Sequence, residues 1–176
     1  MRYALTGSHG VGKTSIINGL EDFLIEKHIT AITNSSRARN IKASGLNIND
    51  KADDVTELLI ASNHISHFSN DNWFADRSII DTYAYAKISS KRGNITAKTF
   101  NTISHLAVNF VDLYDIIFYI PIEFDMVSDG IRKDDESYRK EVDKEIVSFL
   151  EYHKKFNVLS GSVEDRVSTA QKVMSL

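Results

Sequence analysis

Short runs of apolar and β-branched residues alternate along this chain with longer stretches in which apolar residues recur every three or four positions. The short runs predict strands, and the longer stretches predict helices. Regular alternation of the two is typical of an α/β fold with a parallel sheet. The predicted strands are 2–6, 30–34, 73–77, 115–121 and 156–159, and the predicted helices are 13–27, 55–68, 79–88, 96–113, 139–155 and 163–174.

Right-handed crossovers between five such strands give a three-layer α/β/α sandwich around a five-stranded parallel sheet. The 176 residues contain one proline, and we find no low-complexity linker or internal repeat. We therefore predict one domain over residues 1–176. In the helix at 55–68, one side carries Val55, Leu58, Leu59, Ser62 and Ile65.

Composition narrows the classes of function. The chain has no cysteine, which excludes disulfides, thiolate zinc sites and a cysteine nucleophile. Its net charge of −3 and pI of about 6.1 give no overall basic field, so a nucleic-acid partner is not expected. No stretch reaches the roughly 18 apolar residues of a transmembrane helix. We expect a cytoplasmic protein without membrane contact.

One segment, Gly7 to Thr14, matches the phosphate-binding loop (P-loop) pattern G-x-x-x-x-G-K-[ST] and lies between a predicted strand and a predicted helix. Backbone N–H groups at such a helix start face the phosphates. Lys13 would reach the β- and γ-phosphates, and the Thr14 hydroxyl would bind Mg²⁺. No N-K-x-D element for guanine is visible, which favours ATP over GTP. The predicted nucleotide-binding residues are Gly7, Ser8, His9, Gly10, Val11, Gly12, Lys13, Thr14 and Ser15.

Asp76 and Arg77 follow the third predicted strand, at the end of the sheet where ligands bind in open α/β folds. The carboxylate could orient an acceptor hydroxyl or hold Mg²⁺ through a water molecule. The guanidinium could grip an acceptor phosphate. The alternative is a surface ion pair that caps the next helix, with Ser78 as N-cap and Asp81 three positions later.

A charged segment follows the strand that ends at Pro121, and it contains Arg132 and Arg139, seven positions apart. We predict a lid at about 124–140 whose arginines stabilise charge during phosphoryl transfer and whose closure excludes water. The alternative is a solvated helix with ion pairs such as Arg139 with Asp143.

Together these motifs resemble the P-loop nucleoside and nucleotide kinases of the thymidylate-kinase-like group. The resemblance is strongest to the small AAA-like ATPase/kinase family that includes ribosylnicotinamide kinase domains and phage nucleotide kinases. It implies that Asp76 is the acceptor-side carboxylate and that Arg77 is a phosphate ligand. It also implies that Arg132 and Arg139 are lid arginines and that the loop at Gly161 packs on adenine, although Gly161 could equally form a plain turn.

The chain departs from this pattern after the second strand, where Arg37 and Arg39 replace a glutamate-containing motif. Two arginines beside the acceptor favour a phosphorylated acceptor. We therefore expect an ATP- and Mg²⁺-dependent kinase of nucleoside monophosphates, and of deoxynucleotides in particular. The alternatives are a nucleoside or ribosylnicotinamide kinase and a P-loop ATPase or switch module with a protein partner. Related kinases are often dimers, so a homodimer is a further expectation.

Overall fold

Strands and helices alternate in the computed structural model, which describes residues 1–33, 52–124, 136–153 and 156–175. Two consecutive helices connect the third strand to the fourth. A short 3-10 helix, His67–Ser69, precedes the third strand. The elements are β1 Arg2–Thr6, α1 Lys13–Glu26, β2 Thr30–Ile32, α2 Asp54–Ser66, β3 Trp73–Asp76, α3 Ile79–Lys91, α4 Ala97–Val111, β4 Ile116–Tyr119, α5 Glu136–His153, β5 Asn157–Val158 and α6 Val163–Met174.

The five strands form one sheet in the order β2-β3-β1-β4-β5, and every neighbouring pair is parallel. The predicted fold class is thus confirmed. β1 occupies the centre, with β3 on one side and β4 on the other. Leu5 pairs with Asp76 in the β1–β3 register. The loops that follow β1 and β3 therefore leave the sheet side by side at its carboxyl edge.

Each face of the sheet carries its own hydrophobic cluster, because successive side chains of a strand point to opposite faces. Ala4 belongs to the cluster under α2, α3, α4 and α5, whereas Leu5 belongs to the cluster under α1 and α6. α3 packs on both α4 and α5, and α1 packs on α6. No helix within the described ranges is long and apolar enough to cross a membrane.

α2 buries its more polar side. Val55, Leu58 and Leu59, which share the more apolar side of the predicted helix, are 56%, 37% and 47% exposed. The buried side chains of α2 are Thr56, Glu57, Ala61 and His64. Three of these four are polar, and two of them line a cavity beside β3. Tertiary packing has therefore turned the polar side of this helix toward a site.

Candidate active site

The P-loop follows β1 and wraps closely around the end of β4. Gly7 has φ 154°, and a Cβ at this position would lie 2.7 Å from the backbone oxygen of Ile120. Real Cβ atoms do not approach a carbonyl oxygen this closely, so any larger residue would displace the start of the loop. Glycine is required here because the backbones themselves are in contact.

Lys13 is the first residue of α1, and its side chain folds back over the P-loop. Its Nζ donates to the backbone oxygens of Gly7 and Ser8, each at 2.6 Å, and the residue is only 7% exposed. A nearly buried ammonium is weakly screened by water, so it exerts a strong field on an anion in the loop. Thr14 and Ser15 follow it as exposed residues in the first turn of α1.

The side chains of Ser8 and His9 are both buried and both contact other parts of the protein. The Ser8 hydroxyl donates to the backbone oxygen of Arg139 at 2.8 Å. His9 Nδ1 lies 3.0 Å from the hydroxyl of Tyr85 on α3. These two residues can therefore meet a phosphate only through their backbone N–H groups, while their side chains fix the loop to α5 and α3.

The lid prediction implies that Arg139 extends over the P-loop. Instead, the Arg139 side chain binds the backbone of the P-loop. The guanidinium is fully buried. Its Nε donates to the His9 oxygen at 3.1 Å and its Nη2 to the Gly10 oxygen at 3.3 Å. Nη1 donates to Phe124 O and to Glu136. This geometry favours a role in shaping the loop over direct contact with a transferred phosphate.

Asp76 and Arg77 lie where the sequence predicts them, at the end of β3. Asp76 is 6% exposed and stands beside Leu5, two residues before the P-loop begins. The Arg77 N–H donates to the Leu5 oxygen at 2.9 Å, which continues the parallel ladder by one step. This pair is not a surface ion pair, because Asp76 is buried against the central strand.

Arg77 has φ 74°, a left-handed backbone conformation that costs energy for a residue with a Cβ. Its guanidinium carbon lies 5.6 Å from the centre of the Tyr85 ring. Burial alone would lower the pKa of Arg77, but Tyr85, Asp81 and Asp76 together raise it above its ordinary value. The strained turn therefore aims a permanent positive charge at the space between β3 and α3.

The predicted helix cap after Arg77 is also present. Asp81 accepts from the Ser78 N–H at 2.8 Å and from the Ser78 hydroxyl at 3.1 Å, and it is 1% exposed. Its other oxygen accepts from the Gly7 N–H at 3.4 Å. Asp81 thereby joins the start of α3 to the first residue of the P-loop, so the cap and the functional interpretation are compatible.

A cavity of about 60 Å³ opens beside Arg77, between α2 and α3. The Thr82 hydroxyl in its wall is 2% exposed and has no hydrogen-bond partner within the described part of the chain. A buried hydroxyl without a partner is unfavourable, so its presence indicates a place for a polar ligand. The residues that line the cavity are Glu57, Ile60, His64, Arg77, Asp81, Thr82 and Tyr85.

Glu57 and His64 both line this cavity from α2, and Glu57 is a functional candidate that the sequence analysis missed. They are seven positions apart on α2, which places them on one face, two turns from each other. The seven-residue spacing of this pair was a signal in the sequence. However, a different side of the same helix carries more apolar residues. Burial raises the pKa of Glu57 from 4.5 to about 7, and a hydrogen bond with Ser89 offsets part of that rise.

The raised pKa of Glu57 predicts that the protein loses stability as pH increases. Between pH 4.5 and about 7 the folded protein holds a proton that the unfolded chain has released, so the free energy of unfolding falls with pH. The expected loss is on the order of 3 kcal/mol. Urea denaturation from pH 4.5 to 7.5 measures it. Glu57→Gln should remove this part of the slope, and an unchanged slope in that variant would contradict the assignment.

Asp143 on α5, which the sequence analysis names only as an ion-pair partner of Arg139, is a second carboxylate near the P-loop. It accepts a hydrogen bond from the Tyr119 hydroxyl at 2.9 Å, at the end of β4. Burial raises its pKa, although Tyr119, Arg139 and Lys13 each act to lower it. Asp143 thus contributes negative charge that balances the two cations of the loop.

Several predicted residues lie outside the described part of the chain. They are the acceptor-side arginines Arg37 and Arg39, the lid arginine Arg132, and residues 125–135 of the predicted lid. Their roles stay predictions. Gly161 is described, and it sits in a turn after β5 with its N–H donating to Glu123 Oε2 at 2.8 Å.

A family model described as an AAA domain (AAA_28) matches residues 2–166. The chain belongs to this family. No curated protein matches it in sequence. The resemblance drawn from the motifs is thereby confirmed at the level of the family.

Solved structures show the same fold. Deoxyadenosine kinase from M. mycoides, with the products dCMP and a flexible dCDP bound, has a TM-score of 0.71 and 16% identity, over 99% of this chain and 98% of that one. NadR in complex with NR has a TM-score of 0.69 and 20% identity over 98% of this chain, which spans 50% of NadR's length. NadR in complex with NAD and AMP-PNP has a TM-score of 0.68 and 18% identity, over 98% of this chain and 48% of that one. The chain therefore has a P-loop kinase fold.

Proposed function

We propose that this protein transfers the γ-phosphate of ATP to a hydroxyl group of a nucleoside. The observation that supports this most directly is the junction of β1 and β3. A P-loop with a nearly buried Lys13 stands beside a buried carboxylate, Asp76, and the next residue, Arg77, lines a polar cavity. A donor site, a base and an acceptor space next to one another are what phosphoryl transfer needs.

ATP is the proposed donor because the P-loop offers backbone N–H groups and Lys13 to its phosphates. A related fold, NadR, has been seen with AMP-PNP, an ATP analogue. The oxygen donors present fit Mg²⁺, which prefers oxygen ligands: the exposed Thr14 hydroxyl at the start of α1 and the Asp76 carboxylate on the neighbouring strand. When bound there, Mg²⁺ would supply positive charge that offsets the negative charge of the phosphates.

The charge of the cavity favours an uncharged acceptor. Its described lining contains two carboxyl groups, Glu57 and Asp81, against one guanidinium, Arg77. This lining has no surplus of positive charge for a monophosphate. The arginines that argued for a phosphorylated acceptor, Arg37 and Arg39, are not among the described residues. One similar structure is that of a protein named deoxyadenosine kinase, and another is NadR in complex with NR. Both support the choice of a nucleoside as acceptor.

In the proposed step, the acceptor oxygen attacks the γ-phosphorus as its proton passes to the Asp76 carboxylate. The bond from the γ-phosphorus to the bridging oxygen of ADP breaks, and ADP leaves with that electron pair. Lys13 stabilises the charge on the phosphate oxygens. Arg77 lines the cavity, and its positive charge interacts with the neighbouring Asp76 carboxylate.

Glu57 supplies a hydrogen-bonding group for the acceptor base. A carboxyl group with a pKa near 7 carries its proton for much of the time, and it then presents a donor and an acceptor side by side. That pattern pairs with the amino group and ring nitrogen of adenine or cytosine, and also with a carbonyl and ring N–H of uracil or thymine. We therefore expect Glu57 to bind the edge of a base without by itself selecting between these two classes.

The test is a Mg²⁺-ATP assay across ribo- and deoxynucleosides, their monophosphates and ribosylnicotinamide, with products separated by chromatography. A phosphorylated nucleoside supports the proposal. A product only from monophosphates would overturn the choice of acceptor and restore the expectation from sequence. ADP released at one rate whatever is added would indicate an ATPase module instead. The same panel with Glu57→Ala checks whether the KM for the acceptor depends on this residue.

A further inference from the structure

Arg166 on α6 is a buried arginine to which neither the sequence motifs nor the proposed chemistry assigns a role. Its side chain is 1% exposed. Nη1 donates to the Val11 oxygen of the P-loop at 2.8 Å, and Nη2 donates to Glu123 Oε2 at 2.7 Å. The guanidinium carbon also lies 5.1 Å from the centre of the Phe124 ring. A charge is buried this completely only when its partners are fixed.

Glu123 extends this contact to a third loop. The oxygen that accepts from Arg166 also accepts from the Gly161 N–H at 2.8 Å. The hydrogen bond from Arg166 is the main reason that the pKa of Glu123 is lowered. Val11 follows β1, Glu123 follows β4, and Gly161 follows β5. One ion pair thus joins the loops at the carboxyl ends of three neighbouring strands.

The contact with Val11 determines where the loop's N–H groups point. In a trans peptide the C=O and the following N–H lie in one plane and point in opposite directions. Arg166 draws the Val11 oxygen to one side, so the Gly12 N–H must face the other. Arg139 does the same at the two preceding carbonyls, His9 and Gly10. Buried guanidiniums from two helices therefore bind three successive carbonyls, and each following N–H points away from the guanidinium that its carbonyl meets.

We propose that Arg166 is a positioning residue for the phosphate donor, which it serves without touching the donor. It keeps the N–H groups of the P-loop oriented toward the phosphates. Through Glu123 it also holds the turn at Gly161 in a fixed position relative to the P-loop. The positive charge of Arg166 also lies close to the loop backbone, because its Nη1 is 3.7 Å from the position that a Cβ on Gly12 would occupy. This charge adds to the attraction of the loop for phosphates. The inference rests on the proposed use of ATP as donor.

Binding of ATP and of inorganic tripolyphosphate, measured by titration calorimetry with Mg²⁺, tests the proposal in Arg166→Met and Arg166→Lys. Arg166→Met should weaken both ligands by about tenfold or more, because a charged hydrogen bond that orders the site is lost. Arg166→Lys keeps the charge but lacks the two-pronged geometry, so it should recover only part of the affinity. In the kinase assay, the KM for ATP should rise while the KM for the acceptor stays constant.

Arg2→Met is the matched control, since Arg2 pairs with Asp71 at 3.2 Å away from the P-loop. It removes an arginine ion pair without affecting the donor site, so its ATP affinity should equal that of the wild type. If Arg166→Met does not fold, the ATP affinity of Arg166→Lys tests the proposal. A folded Arg166 variant that binds ATP as the wild type does would overturn the inference. Wild-type protein that binds neither ligand would instead overturn the proposed function.

Discussion

Lys13→Ala is expected to reduce kcat for phosphoryl transfer at least about 100-fold, since removing one preorganised donor to a developing charge costs about that much. The Nζ of Lys13 is held by two P-loop carbonyls and is nearly buried, so no solvent-exposed lysine can replace it. The variant should still fold, because the hydrophobic clusters on both faces of the sheet are unchanged. Product formation under saturating ATP and acceptor measures the effect, and thermal unfolding checks the fold.

Lys27→Ala is the control for this substitution. Lys27 follows the other end of α1 and is 46% exposed, so its loss removes a lysine from the same helix without affecting the P-loop. It should retain wild-type kcat. Unchanged turnover in a folded Lys13→Ala variant would contradict the assignment of the donor site and, with it, the kinase proposal.

Asp76→Asn is expected to lower kcat by about 100-fold or more, the usual contribution of a positioned general base. The substitution keeps the shape of the side chain but removes the group that accepts the proton from the acceptor hydroxyl. The KM for the acceptor should change little, because the cavity walls stay in place. Steady-state rates with the acceptor found in the panel separate the two parameters.

Asp71→Asn provides the comparison, since its carboxylate is 90% exposed at the opposite end of β3. Its kcat should match that of the wild type. A rise in KM with normal kcat for Asp76→Asn would show that Asp76 binds the acceptor without acting as a base. Loss of activity in both variants would point to a general effect of charge.

The order and type of the strands and helices could be predicted from sequence because the signals are local. The β-branched run ahead of Pro121 gives β4, and the run from Arg2 to Thr6 gives β1. The position of the P-loop follows from its spacing of glycines, lysine and threonine. Asp76 and Arg77 could be placed at the ligand edge because every parallel strand ends there.

The orientation of α2 could not be predicted from sequence. Either side of this helix could have packed against the rest of the protein. The more apolar side, which carries Leu58 and Leu59, is the exposed one. Periodicity reports which residues share a face but not which neighbour that face meets. The choice depends on the cavity beside Arg77, which exists only once α3 and β3 have packed together.

The sequence by itself determined the sheet, the P-loop and the carboxylate beside it, because each depends on residues that are adjacent in the chain. Only the tertiary structure decided which arginines support the loop. Arg139 and Arg166 are more than 120 residues from the P-loop carbonyls that they bind. An arginine that will be buried against a distant carbonyl carries no local pattern that separates it from one on the surface. The role of these arginines arises when α5 and α6 pack near the P-loop and bring their guanidinium groups to its carbonyl oxygens.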